Sequence, residues 1–339
     1  MTLTTTLTKR TLPIFLPAVA LSLTLAGCGL FKHDKSYTLR EAEKKLIDFC
    51  KKEGQNDVHT RFVGKTLWLY VPLTEPLFDI KPNPAVNKNA VRKVMPWSIL
   101  SLDSDYNGKK QFVIRFDVVP DVLTAEPSTY GSAYNENYTK KRQLIYQGLQ
   151  ESFFNIDPRQ APEFVVVFVA DITKGLATKS TVYLRDLREF MSEALPFDEY
   201  YLREQTEVLG NENLIGDKKG RSVAYGEVAW PDFLTDQLKT RIRFKLTQSD
   251  FPPEGKPDTE IIKIAANTFR LYPFKDYAGI YLYNMREKKE YTYTKDQLFI
   301  FEVKPTWQEK GKYTTIHFDG NKLMTGNAPV QAPQEQPTK

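Results

Sequence analysis

Phe164-Val165-Val166-Val167-Phe168-Val169-Ala170 is the stretch whose reading decides the fold. Apolar residues stand at both parities, so a strand built from it has no wet face and belongs inside a sheet covered on both sides. The flanking segments predict helical cover. Asn137 to Asn155 brings Tyr138, Ile145, Leu149 and Phe153 near one helical face before Pro158. Leu184, Leu187, Met191 and Leu195 recur at helical spacing up to Pro196, and a further helical stretch is expected through Thr206. The fold class that follows is α+β: mixed or antiparallel sheets with helices packed on them, in one domain or two subdomains. With 41% hydrophobic and 13% aromatic residues, the chain can bury a sizeable core.

Ahead of this stretch, Thr38-Leu39-Arg40-Glu41 is a capping box, and Leu39, Ala42, Leu46, Phe49 and Cys50 share one face of the helix it opens. Gly54 stops that helix, predicted over residues 39–53. Cys50 reads as a small buried hydrophobe on the apolar stripe. Val58 to Val63 and Lys65 to Val71 form a hairpin around Gly64 that Pro72 closes, and the proline-rich residues 73–96 are expected as a long loop. Trp97 to Leu102 and Gln111 to Val119 flank Asp103-Ser104-Asp105-Tyr106-Asn107-Gly108. These six residues match the first half of a calcium loop, but the twelfth position is Ile114 where a bidentate Glu is needed. A type I′ turn at Asn-Gly is the other reading. Asp171, Thr173 and Lys174 leave the carboxyl end of the central strand, where open sheets place ligands. An Asp closing a turn beside Gly175 is the plainer alternative.

Residues 209–220 are rich in Gly, Asn, Asp and Lys and mark the internal boundary. Beyond it, Val223 to Trp230 is expected as a strand and Asp232 to Lys239 as a short helix. Arg241 to Thr247 alternates strictly, so a strand with Ile242, Phe244 and Leu246 inward and Arg241, Arg243 and Lys245 outward is expected. That basic stripe either rests on anionic lipid or protects a sheet edge. A helix from Pro257 to Leu271 is followed by a hairpin, Tyr277 to Asn284 and Lys289 to Thr294, on which Tyr281, Tyr283, Tyr291 and Tyr293 suggest a tyrosine face. Tyr313 to Phe318 suggests a last strand.

The N-terminus carries the strongest functional signal. Lys9 and Arg10 precede an apolar stretch from Thr11 to Leu25 that is too short and too proline-interrupted to span a membrane comfortably. It ends at Leu25-Ala26-Gly27-Cys28, an order that resembles the lipobox of bacterial lipoproteins. The resemblance implies that Cys28 takes a diacylglycerol, that the chain is cut before it, and that the new amine is acylated, as with palmitate. Two or three acyl chains anchor durably without a transmembrane helix. Gly29, where an inner-membrane sorting signal has Asp, implies the outer membrane, facing the periplasm or the cell surface.

The expected organisation is a signal peptide over 1–27, a tether over 28–37, an α/β unit over 38–209, a linker loop over 210–220, a second α/β unit over 221–320 and a disordered tail over 321–339. Losing Lys9 and Arg10 lowers the formal charge from +5 by two, to +3, which argues against a nucleic-acid partner. With Cys28 acylated, Cys50 is the one remaining thiol, so no intramolecular disulfide can form. No nucleophile elbow, zinc helix, P-loop or dinucleotide fingerprint is present, and the three histidines are His33, His59 and His317. No cofactor or metal is expected.

Three readings follow. The first is a lipid-anchored envelope protein, attached to the membrane through Cys28, with a non-catalytic structural or interaction role toward envelope proteins or glycans. The second is a glycan- or peptidoglycan-binding module using the four tyrosines. The third is an envelope hydrolase built on paired carboxylates with Asp171 as one member. Glu189, Glu193, Glu204 and Glu207 read as solvated helix-surface acids.

Overall fold

The computed structural model describes residues 37–82, 94–123, 130–246 and 257–300, with two short strands, His317–Asp319 and Lys322–Met324. The α+β expectation holds. The first sheet contains β1 (His59–Val63), β2 (Thr66–Leu73), β7 (Phe164–Asp171), β8 (Leu176–Tyr183) and β9 (Gln205–Gly210), in the order β1-β2-β7-β8-β9. The apolar run is therefore the middle strand, parallel to β2 and antiparallel to β8.

The two parities of β7 enter different cores. Val165, Val167 and Val169 join Leu67, Leu69 and Val71 beneath α1 (Leu39–Lys52) and α2 (Glu136–Phe153). Val166, Phe168 and Ala170 join Trp68 and Tyr70 on the opposite face. That second face is covered by the segment after β9, through Leu214 and Val223, and α5 (Trp230–Leu246) lies beside its β9 edge. The capping box of α1 forms as expected: Glu41 N–H donates to Thr38 Oγ1 (3.3 Å) and Thr38 N–H to Glu41 Oε2 (2.8 Å). Cys50 is fully buried, which pushes its thiol pKa up to about 11.

The second sheet, ordered β11-β10-β5-β4, joins β4 (Val94–Tyr106) and β5 (Gln111–Leu123) to β10 (Gly279–Asn284) and β11 (Lys289–Thr294). Its inner face, with Phe112, Ile114, Ile280 and Leu282, packs against α5 (Trp230–Leu246) and α6 (Pro257–Leu271). Strands from before residues 210–220 thus pair with strands from after them. That segment runs along the first sheet, where Gly216 N–H donates to Ile172 O (2.8 Å) and the Tyr70 hydroxyl donates to the Asp217 carbonyl.

Several expectations are corrected. Pro72 lies within β2, and the supposed loop over 73–96 contains β3 (Phe78–Pro82), which pairs with β6 (Tyr130–Tyr134) 52 positions on. The helical stretch through Thr206 stops at the end of α4 (Phe197–Arg203), and β9 begins at Gln205. Val223 to Trp230 forms no strand. Arg241 to Leu246 is the end of α5, because Leu234, Leu238, Ile242 and Leu246 bury at a spacing of four. The alternating pattern coincided with a helical one there, and the helix carries the deeper burial.

Arg241 is consequently not on a basic stripe. It belongs to a buried charge network with α3 (Leu184–Met191) and α4, in which the side chains of Asp186, Glu199, Arg203 and Arg241 are 3%, 7%, 8% and 10% exposed. Arg203 Nη1 donates to Asp186 Oδ1 (2.7 Å), Arg203 Nε to Glu199 Oε1 (2.8 Å), and Arg241 Nη2 to the same Glu199 oxygen (2.7 Å). Burial pushes the Glu199 carboxyl up, but the guanidiniums of Arg241 and Arg203 outweigh it and hold the group below its usual 4.5.

Candidate functional site

A cleft of about 540 Å³ opens on the first sheet, on the face away from α1 and α2. Its floor is set by strand parity. Phe168 on β7, Lys179 and Thr181 on β8, and Gln205, Glu207 and Leu209 on β9 point the same way, with Lys179 opposite Glu207 and Thr181 opposite Gln205. Trp68 extends the aromatic floor on β2, and Phe233 of α5 closes it from the side.

The segment 222–229 forms one wall. It has no ladder of its own, and hydrogen bonds to the sheet hold it in place: Trp68 Nε1–H donates to Gly226 O (2.7 Å), Val228 N–H to Thr66 Oγ1 (2.8 Å), and Lys65 N–H to Glu227 Oε1 (2.9 Å). Gly64 makes the last of these possible. Its φ of +54° is left-handed, and a Cβ there would collide with the Glu227 carboxylate.

The opposite wall is α5, which presents Asp232 and Asp236 one turn apart and so on one face. Burial raises the Asp236 carboxyl above its usual 3.8. Lys239, 3.7 Å away, pulls against that, and Glu207 across the cleft adds to it. Lys179 Nζ donates to Glu207 Oε1 (3.3 Å). Gln205 is 8% exposed; its Oε1 accepts from Thr240 Oγ1 (2.9 Å), and its Nε2 has no acceptor among the described residues. A buried amide proton without a partner costs about 1–3 kcal/mol, which a ligand carbonyl or hydroxyl would recover. An apolar floor, an acidic rim and an unpartnered donor suit the binding of a small polar molecule.

Compared with protein-family models, curated proteins and solved structures, the chain finds no match. Among the described residues, no helix is long and apolar enough to cross a membrane, and no three His, Cys, Asp or Glu side chains converge as a metal site.

The residues singled out from the sequence fall elsewhere. Cys28 and the lipobox, with His33 and residues 325–339 of the expected tail, lie outside the described residues; Lys322–Met324, within that expected tail, pairs antiparallel with His317–Asp319. Asp171 is 1% exposed and caps its own turn, its Oδ1 accepting from Thr173 N–H (2.9 Å), Thr173 Oγ1 (2.6 Å) and Lys174 N–H (3.1 Å), so it is no part of the cleft. Asp103 and Asp105 sit inside β4 and pair with Arg115 of β5 at 3.1 and 2.8 Å. The hairpin turn there closes by Lys110 N–H to Asn107 O (3.0 Å), with Lys110 at φ +57°. That is a type I turn with a left-handed residue after it, and not the type I′ expected at Asn-Gly. His59 Nε2 donates to Lys218 O (2.9 Å).

The four tyrosines do not share a face. Ile280 pairs with Tyr293 and Leu282 with Tyr291, so those two rings lie on the inner side, where the Tyr291 hydroxyl donates to Asp258 of α6 (3.2 Å). Tyr281 and Tyr283 lie on the outer side with Val113 and Arg115. Glu204 and Glu207 are not helix-surface acids either. Glu207 is on β9, and Glu204 follows α4 with its carboxylate buried against Arg142 and Tyr146. The cleft is not legible in the sequence because its residues converge from four strands, the 222–229 segment and α5. The one local signal was Asp232 and Asp236 at helical spacing.

Proposed function

We propose that this chain is a lipid-anchored protein of the bacterial envelope, held through Cys28 in the outer membrane, that acts by binding a small polar ligand. Leu25-Ala26-Gly27-Cys28 supports the anchor. The observation that carries the binding role is the cleft itself, a concavity on the central sheet with an aromatic floor and an unpartnered buried amide at Gln205. A tether between anchor and domain would leave the cleft free to meet its ligand near the membrane surface.

Labelling cells with a palmitate analogue tests the anchor: wild type should carry label in the membrane fraction and Cys28→Ser should not. Label persisting in the variant overturns it. For the cleft, small molecules released by heating purified protein are identified by mass spectrometry in wild type and in Ala224→Trp, which places a ring at an exposed wall position. A species at least tenfold depleted in the variant supports the cleft; equal recovery, or none from either, counts against it.

A second reading, hydrolysis by paired carboxylates, draws support from Asp236, whose raised carboxyl faces Glu207 across the cleft. Turnover of chromogenic glycosides that is lost in Asp236→Asn would establish it, and inert wild type would end it.

A further inference from the structure

The cleft's charge is uneven, and the imbalance identifies what it takes. Four carboxylates line it, from Glu207, Glu227, Asp232 and Asp236, against one ammonium, from Lys179. Three of the four have company. Glu207 has Lys179 at 3.3 Å, Glu227 has the Lys65 N–H at 2.9 Å, and Asp236 has Lys239 at 3.7 Å. Asp232 has no ion-pair partner among the described residues, although it stands one turn from Asp236 on the same helix face. Like charges at that spacing repel. The α5 N-terminus relieves Asp232 in part, but the field in the cleft remains anionic.

We infer that the cleft takes an organic cation, a protonated primary amine carried on a small ring, with the ammonium between Asp232 and Asp236. The inference rests on the cleft being the binding site. Two observations favour an organic cation over a metal ion. The carboxylates are spread along the rim, and no three of them converge closely enough to coordinate an ion. The floor beneath them is apolar, with Trp68 and Phe168 each 5% exposed, which suits the carbon skeleton of an organic cation better than a hydrated ion. The volume of about 540 Å³ admits one or two rings. Gln205 supplies what a bare amine would not use: its Nε2 needs an acceptor, and a ring hydroxyl or ring oxygen provides one.

The test follows tryptophan fluorescence and calorimetric heat as the whole purified protein is titrated with glucosamine and with N-acetylglucosamine, the same ring with and without the charge. Glucosamine should bind at least tenfold more tightly, and Asp232→Asn with Asp236→Asn should erase that preference, bringing the two sugars to within about twofold of each other. Both positions are on the open wall of α5, and unchanged circular dichroism checks that the fold is kept. Equal affinity for the two sugars overturns the cation inference and leaves the cleft as a binding site. Competition by stoichiometric Mg²⁺ also overturns it, in favour of a metal. Binding that Ala224→Trp does not disturb, or no binding of either sugar, overturns the inference and the cleft reading together.

Discussion

Arg241→Met separates two incompatible readings of the same residues. As an outward residue of an alternating strand, Arg241 would be interchangeable with Arg243, and each substitution would fall within about 0.5 kcal/mol of wild type. In the structure, Arg243 is exposed, while Arg241 donates at 2.7 Å to a Glu199 carboxylate that is itself 7% exposed. Removing one partner of a buried ion pair typically costs about 3–5 kcal/mol, because the other charge stays buried and uncompensated. Glu199 keeps Arg203 at 2.8 Å, so the lower end, about 3 kcal/mol, is expected. With a urea m-value of about 3 kcal/mol/M for a chain of this size, the midpoint should fall by about 1 M, and Arg243→Met should leave it in place. The gap should also depend on pH. Glu199 is held below its usual 4.5, so the stability it contributes is fully present above that value and is lost as pH falls through the folded-state pKa. Wild type and Arg241→Met should therefore differ most near neutrality and converge below about pH 4.5. Equal midpoints for the Arg241 and Arg243 variants would refute the buried network and, with it, the placement of α5 against α4.

Further consequences are open to direct measurement. Asp171→Ala removes the acceptor of three hydrogen bonds in one turn and should cost about 1–2 kcal/mol in urea unfolding without changing ligand affinity, since Asp171 lies outside the cleft. Gly64→Ala forces a side chain into a left-handed backbone and against the Glu227 carboxylate, and should cost about 1–2 kcal/mol or more. Cys50, buried with its thiol pKa pushed to about 11, should resist a thiol reagent in the folded protein at pH 8 and react within minutes in urea. Amine affinity should weaken as pH falls toward the Asp236 pKa, which burial holds above 3.8 with Lys239, Lys179 and Glu207 as its charged neighbours, because the protonated carboxyl no longer attracts an ammonium. Unchanged glucosamine affinity from pH 7 to pH 4 would remove Asp236 from the site.

What the chain determined on its own is what neighbouring residues settle among themselves. Thr38 and Glu41 close a capping box through atoms three residues apart, and any context that permits a helix there starts it at Leu39. The run from Phe164 to Ala170 is apolar at both parities and rich in β-branched valine, so as a strand it belongs in a sheet interior covered on both faces. Tertiary structure decided the rest, for a common reason: the deciding partner was distant in sequence. The alternating residues from Arg241 to Leu246 fit a strand as well as a helix until Glu199, 42 positions earlier, supplies the carboxylate that buries Arg241. Tyr281 and Tyr291 look alike in the sequence, and only the register with Leu282 and Val113 sends them to opposite faces. The cleft is the furthest case. Lys179 and Glu207 meet through strand pairing, Asp236 reaches them from a helix, and the wall between exists because Trp68 and Thr66 hold an irregular segment onto the sheet. Each contact alone fixes little, and their convergence is a property of the folded chain.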